Sequence, residues 1–126
     1  MKLLLIVTLA LLLLLAACIG NVSLLEENAA AVLAPLDAVA EALTVADWQQ
    51  ADRACARAAA AWRQVQPHWE MMIHHDAMND IGVGLLDLQT ALRQRDQTAA
   101  EKELTTLRYY LTQVPENERV DWSNIL

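Results

Sequence analysis

The chain has 126 residues, of which 56% are hydrophobic, enough for one domain with a modest core. Its formal net charge is −7, and no run of Lys or Arg occurs, so nucleic acid is excluded as a natural partner and so is electrostatic docking on anionic lipid.

Met1 and Lys2 precede an apolar stretch from Leu3 to Leu15, which ends in Ala16-Ala17-Cys18. A short positive start, an apolar core and a small-residue exit have the anatomy of a secretory signal peptide. The run is also shorter than the roughly 20 apolar residues that span a bilayer core. Leu15-Ala16-Ala17-Cys18 resembles the lipobox of bacterial lipoproteins, in which the cysteine is acylated and becomes the first residue. Small residues before the cut suit a narrow peptidase cleft, a thiol is a good nucleophile for taking up diacylglycerol, and several acyl chains anchor stably where one does not. The expected organisation is a signal at residues 1–17, a lipidated tether at 18–23 and a domain at 24–126. The competing reading is an uncleaved transmembrane helix with Gly20-Asn21 as its exit. If Cys18 carries lipid, Cys55 is the only thiol left, and no intramolecular disulfide can form. Its setting among alanines suits a small buried hydrophobe.

The rest of the chain reads as helix throughout, because alanine and leucine dominate and no strand-like alternation appears. Leu25, Ala29, Val32, Leu36, Val39 and Leu43 step by four and three, with Pro35 expected to kink or restart the helix. A second stripe runs Trp48, Ala51, Cys55, Ala58, Trp62, Val65 and Trp69, with Pro67 expected to end it or begin the next. A third runs Met71, His74, Met78, Ile81, Leu85, Leu88 and Leu92. The fourth runs Ala100, Leu104, Leu107, Leu111 and Val114, with Pro115 as its stop. Four amphipathic helices with this spacing imply an all-α fold, an antiparallel four-helix bundle.

A faint repeat runs through it. Ala42-Leu43, Asp47 and Ala51-Asp52-Arg53 match Ala91-Leu92, Asp96 and Ala100-Glu101-Lys102. Each copy puts an Asp between two helices, where its carboxylate can cap the second. The bundle is thus expected to be two helical hairpins, Leu24–Gln66 and Trp69–Pro115.

Chemistry concentrates in one place. All three histidines and every methionine except Met1 lie between residues 68 and 78. On one continuous helix, His68, Met72, His75 and Asn79 would share a face, and Met71, His74 and Met78 another. Imidazole with thioether suits copper, especially the cuprous ion, so His68, Met71, Met72, His74, His75 and Met78 form a candidate copper set. The simpler reading is that methionines fill a core and the histidines find ordinary polar partners. Asp76, Asp80 and Asp87 read as a solvated acidic face, since the Glu-x-x-His pattern of bundle di-metal sites is missing. Gly82-Val83-Gly84 has no strand before it and is read as permitting close helix approach, against Trp62 or Trp69. In the tail 116–126, Trp122 falls outside the helical period and is either folded back on the bundle or an aromatic anchor for a partner.

The second half resembles a bacterial family known only as domain-of-unknown-function family 4363. The resemblance rests on Trp62 and Trp69, on His75-Asp76 followed by Ile81, on the leucine-rich third helix, on Asp96 and Leu104–Leu111, and on the ending Ser123-Asn124-Ile125-Leu126. It covers roughly residues 48–126 plus the N-terminal anchor. The chain departs from it in the alanines around Ala58–Ala61, the extra His74, and Asn79 where an acid is expected. The resemblance implies short, membrane-anchored helical proteins and favours the outer face of the plasma membrane in a Gram-positive type of envelope; it implies no reaction. Together these readings predict a non-enzymatic envelope lipoprotein without a cofactor, held at the extracytoplasmic face of the cell membrane to engage another envelope protein. The alternative is a copper-binding lipoprotein.

Overall fold

The computed structural model describes the backbone of residues 1–71, 73 and 75–125, and the side chains of these except 21–23 and 115–125. Four helices follow in chain order: α1 Lys2–Thr44, α2 Trp48–Glu70, α3 His75–Arg93 and α4 Gln97–Ile125. Each packs on its neighbour in sequence, and α1 closes the square against α4. The result is an antiparallel four-helix bundle.

The apolar stripes explain the packing. Every residue of the first and fourth stripes is buried, as are Ala51, Cys55, Ala58, Trp62, Val65 and Trp69 from α2 and Met78, Ile81, Leu85, Leu88 and Leu92 from α3. No polar residue is buried among the described residues. At one edge of this core Trp62 and Trp69 meet edge to face, with centroids 5.6 Å apart, while Trp48 is only half-buried.

Prolines stop fewer helices than the sequence suggested. α1 runs unbroken through Pro35, and α2 continues through Pro67 to Glu70. A helical proline deprives the carbonyl four residues earlier of its bond. Here those carbonyls belong to Ala31 and Arg63, both exposed residues that water can serve. α4 likewise passes Pro115 and ends at Ile125, so residues 116–125 continue the helix instead of forming an irregular tail. One lost bond does not end a helix when good helix formers follow. The first hairpin therefore reaches beyond Gln66, and the second beyond Pro115.

The two-copy repeat is visible in atomic detail at the end of the bundle opposite the α2–α3 turn. The same cap occurs twice: Asp47 Oδ1 accepts from the Gln50 N–H, and Asp96 Oδ1 from the Ala99 N–H, both at 3.1 Å. Before each cap, the chain closes the preceding helix in the same way. Asp47 N–H donates to the Ala42 carbonyl and Asp96 N–H to the Ala91 carbonyl, at 2.9 and 3.0 Å. Ala46 and Arg95 donate to Leu43 and Leu92, and both take φ of 53°. This is a Schellman closure with a residue other than glycine at its left-handed position. Substituting Ala46→Gly is expected to stabilise the bundle by about 0.5–1 kcal/mol, because relief of the left-handed penalty exceeds the entropy that glycine adds to the unfolded chain. Urea denaturation of the variant checks this, and Arg95→Gly should behave alike.

Candidate functional site

Two features stand outside the packed core. The first is the N-terminal part of α1. Leu3 to Leu14 projects with its apolar side chains exposed, and Cys18 is half-buried on the same helix. Among the described residues α1 is the one helix long and apolar enough to cross a membrane. Its backbone shows no break at Ala17-Cys18, and residues 18–23 are helical.

The second feature is the end of the bundle where α2 gives way to α3, and here the structure rearranges the candidate copper set. Met71 is not in the third helix: it caps α2 in a turn and is 89% exposed. α3 begins only at His75. A continuous helical face through His68, Met72, His75 and Asn79 therefore does not form, since His68 belongs to α2 and His75 to α3. The stripe in the sequence passed across this turn because Met, Ile and His all tolerate helix. The reversal is imposed by the need to bring the Met78–Leu92 stripe back onto the core. Met78 is buried in that core, and His68 and His75 are exposed. Met72 and His74 lie outside the described residues, as does the Trp122 side chain.

From this turn a groove runs up between α2 and α3. Its lower part, of about 430 Å³, is lined by Gln66, Glu70, His75, Met78, Asn79 and Val83, so His75 and Met78 do share a surface with an acid. Its upper part, about 160 Å³, is more apolar, formed by Cys55, Ala59, Trp62, Leu85 and Leu86. Among the described residues, no group of three or more His, Cys, Asp or Glu side chains is arranged to hold a metal ion. Val83 and Leu86 are exposed apolar residues on its rim. Their signal in the sequence was faint but real, since they are the apolar residues of α3 that fall off the core stripe.

Gly82 opens the groove: a methyl there would lie 3.9 Å from Trp62 Nε1. Gly84 acts elsewhere, against Leu107 of α4, not against a tryptophan. The acids behave as a solvated face. Asp76, Asp80 and Asp87 are all exposed, and Asp76 sits in the first turn of α3, where negative charge favours the helix.

Cys55 borders the groove but is not a poised nucleophile. Burial, and secondly the Asp52 carboxylate, push its thiol up from 9.0 to about 11. A raised thiol pKa keeps the native side chain protonated where the unfolded one ionises. Its contribution to stability is therefore intact below pH 9.0 and is lost as pH rises toward about 11. Cys55→Ala is expected to flatten that alkaline loss, measured by denaturation at pH 8 to 11.

A helical bundle carried on an exposed apolar helix is the class of protein these features define. The chain belongs to the family described as a domain of unknown function (DUF4363), which it matches over residues 19–125. That match takes in the first hairpin as well as the second half. No curated protein and no solved structure matches the chain.

Proposed function

We propose that this is a non-enzymatic envelope lipoprotein, tethered at the extracytoplasmic face of the cell membrane through Cys18, whose bundle engages another envelope protein. The observation that carries the reading is the division of the chain into an exposed apolar helical segment and a core that, among the described residues, buries no polar or charged residue. Apolar side chains exposed all along the N-terminal segment of α1 need a lipid environment, since a soluble surface rarely keeps an apolar patch of that size. The bundle that follows presents a groove between α2 and α3 that can receive part of another protein. The thiol of Cys18, at the end of the apolar run, is the acylation point.

The test combines mass spectrometry of the membrane-extracted protein with crosslinking in cells. A mature N-terminus at Cys18 bearing diacylglycerol and a specific crosslinked envelope protein are expected. An unmodified Cys18 would overturn the lipid anchor, and the absence of any specific crosslink would overturn the interaction role. A chain starting at Ile19 is expected to fold without added metal.

One observation favours a second reading, copper binding: His75 and Met78 line one groove with Glu70. Titration of the chain starting at Ile19 with cuprous ion tests it. Stoichiometric binding lost in the His74→Ala/His75→Ala variant is the expected result, and binding unchanged in that variant would sink it.

A further inference from the structure

The antiparallel topology decides which end of the bundle faces the lipid. The α1–α2 and α3–α4 turns lie together at one end, because α1 is paired with both α2 and α4. Arg108 on α4 meets Asp37 on α1 at 2.7 Å, and Gln97 reaches the Leu43 carbonyl, so α4 descends beside α1 toward the apolar segment. α2 has 23 residues and returns along α1 from the turn after Thr44. At equal rise its end falls level with about residue 22 of α1. The α2–α3 turn is therefore at the opposite end, beside the point where the apolar segment of α1 enters the bundle. Neighbouring helix axes in such a bundle are about 8–10 Å apart, so the turn is close to α1 laterally as well.

Among the described residues, the tip of that turn is apolar, with Glu70 and His75 exposed on either side of it. Met71 is 89% exposed at its tip, Ile73 packs behind it on the core, and Leu24 and Ile19 of α1 are exposed at a similar height. A large apolar side chain held in water at the bundle end nearest an apolar anchor has one consistent environment, the boundary between headgroups and acyl chains. We propose that the α2–α3 turn is a second membrane contact, in which Met71 rests in the interface of the bilayer that holds α1 and the bundle stands upright on it. The inference rests on the anchored reading above. It holds whether the bilayer takes the apolar helix itself or acyl chains on Cys18, because both place the bilayer surface near the start of the bundle. The groove mouth at Glu70, His75 and Asn79 then opens just above the lipid surface, and the Asp47 and Asp96 turns point away from it.

The test uses the full chain with Cys18→Ser, reconstituted in phosphatidylcholine–phosphatidylglycerol vesicles that carry a spin label on the headgroup. A polarity-sensitive fluorophore is placed on Met71→Cys or, as the control, on Val45→Cys at the other end. Cys55 is buried with a raised thiol pKa and stays unlabelled. The two turns are separated by the length of α2, about 35 Å, well beyond contact quenching. Headgroup quenching at position 71 several-fold stronger than at 45 is expected. Protein that floats with the vesicles but shows weak quenching at both positions leaves the anchor standing and overturns the second contact. Strong quenching at both means a bundle lying flat, and also overturns it. Protein that does not float overturns the second contact and anchoring by the apolar helix together, while acylation of Cys18 is decided separately by the mass spectrometry above.

Discussion

Replacing Trp69 with alanine is expected to cost about 3–5 kcal/mol of folding stability. The ring is fully buried near the α2–α3 turn and stands edge to face with Trp62 at 5.6 Å. Its removal therefore loses transfer energy, leaves a cavity, and ends an aromatic contact of about 0.5–1.5 kcal/mol. In a bundle of this size a loss in that range lowers the melting temperature by roughly 15–30 °C. The indole N–H makes no hydrogen bond, and an unmet buried donor costs about 1–3 kcal/mol. Trp69→Phe keeps a ring and removes that donor, so it is expected to cost only about 1 kcal/mol. Urea titration of the two variants is the check. Equal losses for Ala and Phe would show that the indole N–H is satisfied and that its bond, more than ring volume, stabilises this end.

The second large effect belongs to Gly84. A Cβ there would come within 2.7 Å of Leu107 Cδ2 and 3.2 Å of its Cγ. Leu107 is fully buried, so its side chain has little room to yield. Gly84→Val is expected to destabilise by about 3 kcal/mol, overpacking outweighing the gain in helix propensity. Adding Leu107→Ala should recover part of that loss. The double-mutant cycle should then show a favourable coupling of about 1 kcal/mol or more. Gly82→Ala is the contrasting case. Its methyl would meet Trp62 at ordinary contact distance, so the helix gains close to 1 kcal/mol from the better former. A Gly84→Val variant as stable as the parent would mean that α3 and α4 separate more easily than their close approach indicates.

Much of this architecture was legible in the residues alone. Three-four spacing picked out the buried face of all four helices, because each helix had one side to hide and little else competed for it. The two caps were legible too: Asp47 and Asp96 stand at matching places in a repeat, and both carboxylates accept a backbone N–H. The family was also recognisable from the order of motifs in the second half, although the match extends back to Ile19. Pro67 and Pro115 misled, since each was read as a boundary and each lies inside a helix, while Pro35, read as a kink or a restart, lies in an unbroken α1. Proline removes one bond; whether that ends the helix depends on where the freed carbonyl points and on what packs on either side.

The candidate site was read less well, and Met71 and His75 show why. Their spacing is compatible with one helix, and periodicity cannot say that the chain turns back between them. That turn separates His68 from His75, exposes Met71, buries Met78, and sets Glu70 and His75 on a shared groove. Local composition by itself determined that this chain makes amphipathic helices behind an apolar N-terminal segment, because backbone propensity and side-chain period are properties of neighbouring residues. Only the tertiary structure decided which helix ends lie together, which glycine meets Leu107 and which turn lies beside the apolar N-terminal segment. Those outcomes follow from how four stripes share one core, a relation between residues far apart in the chain.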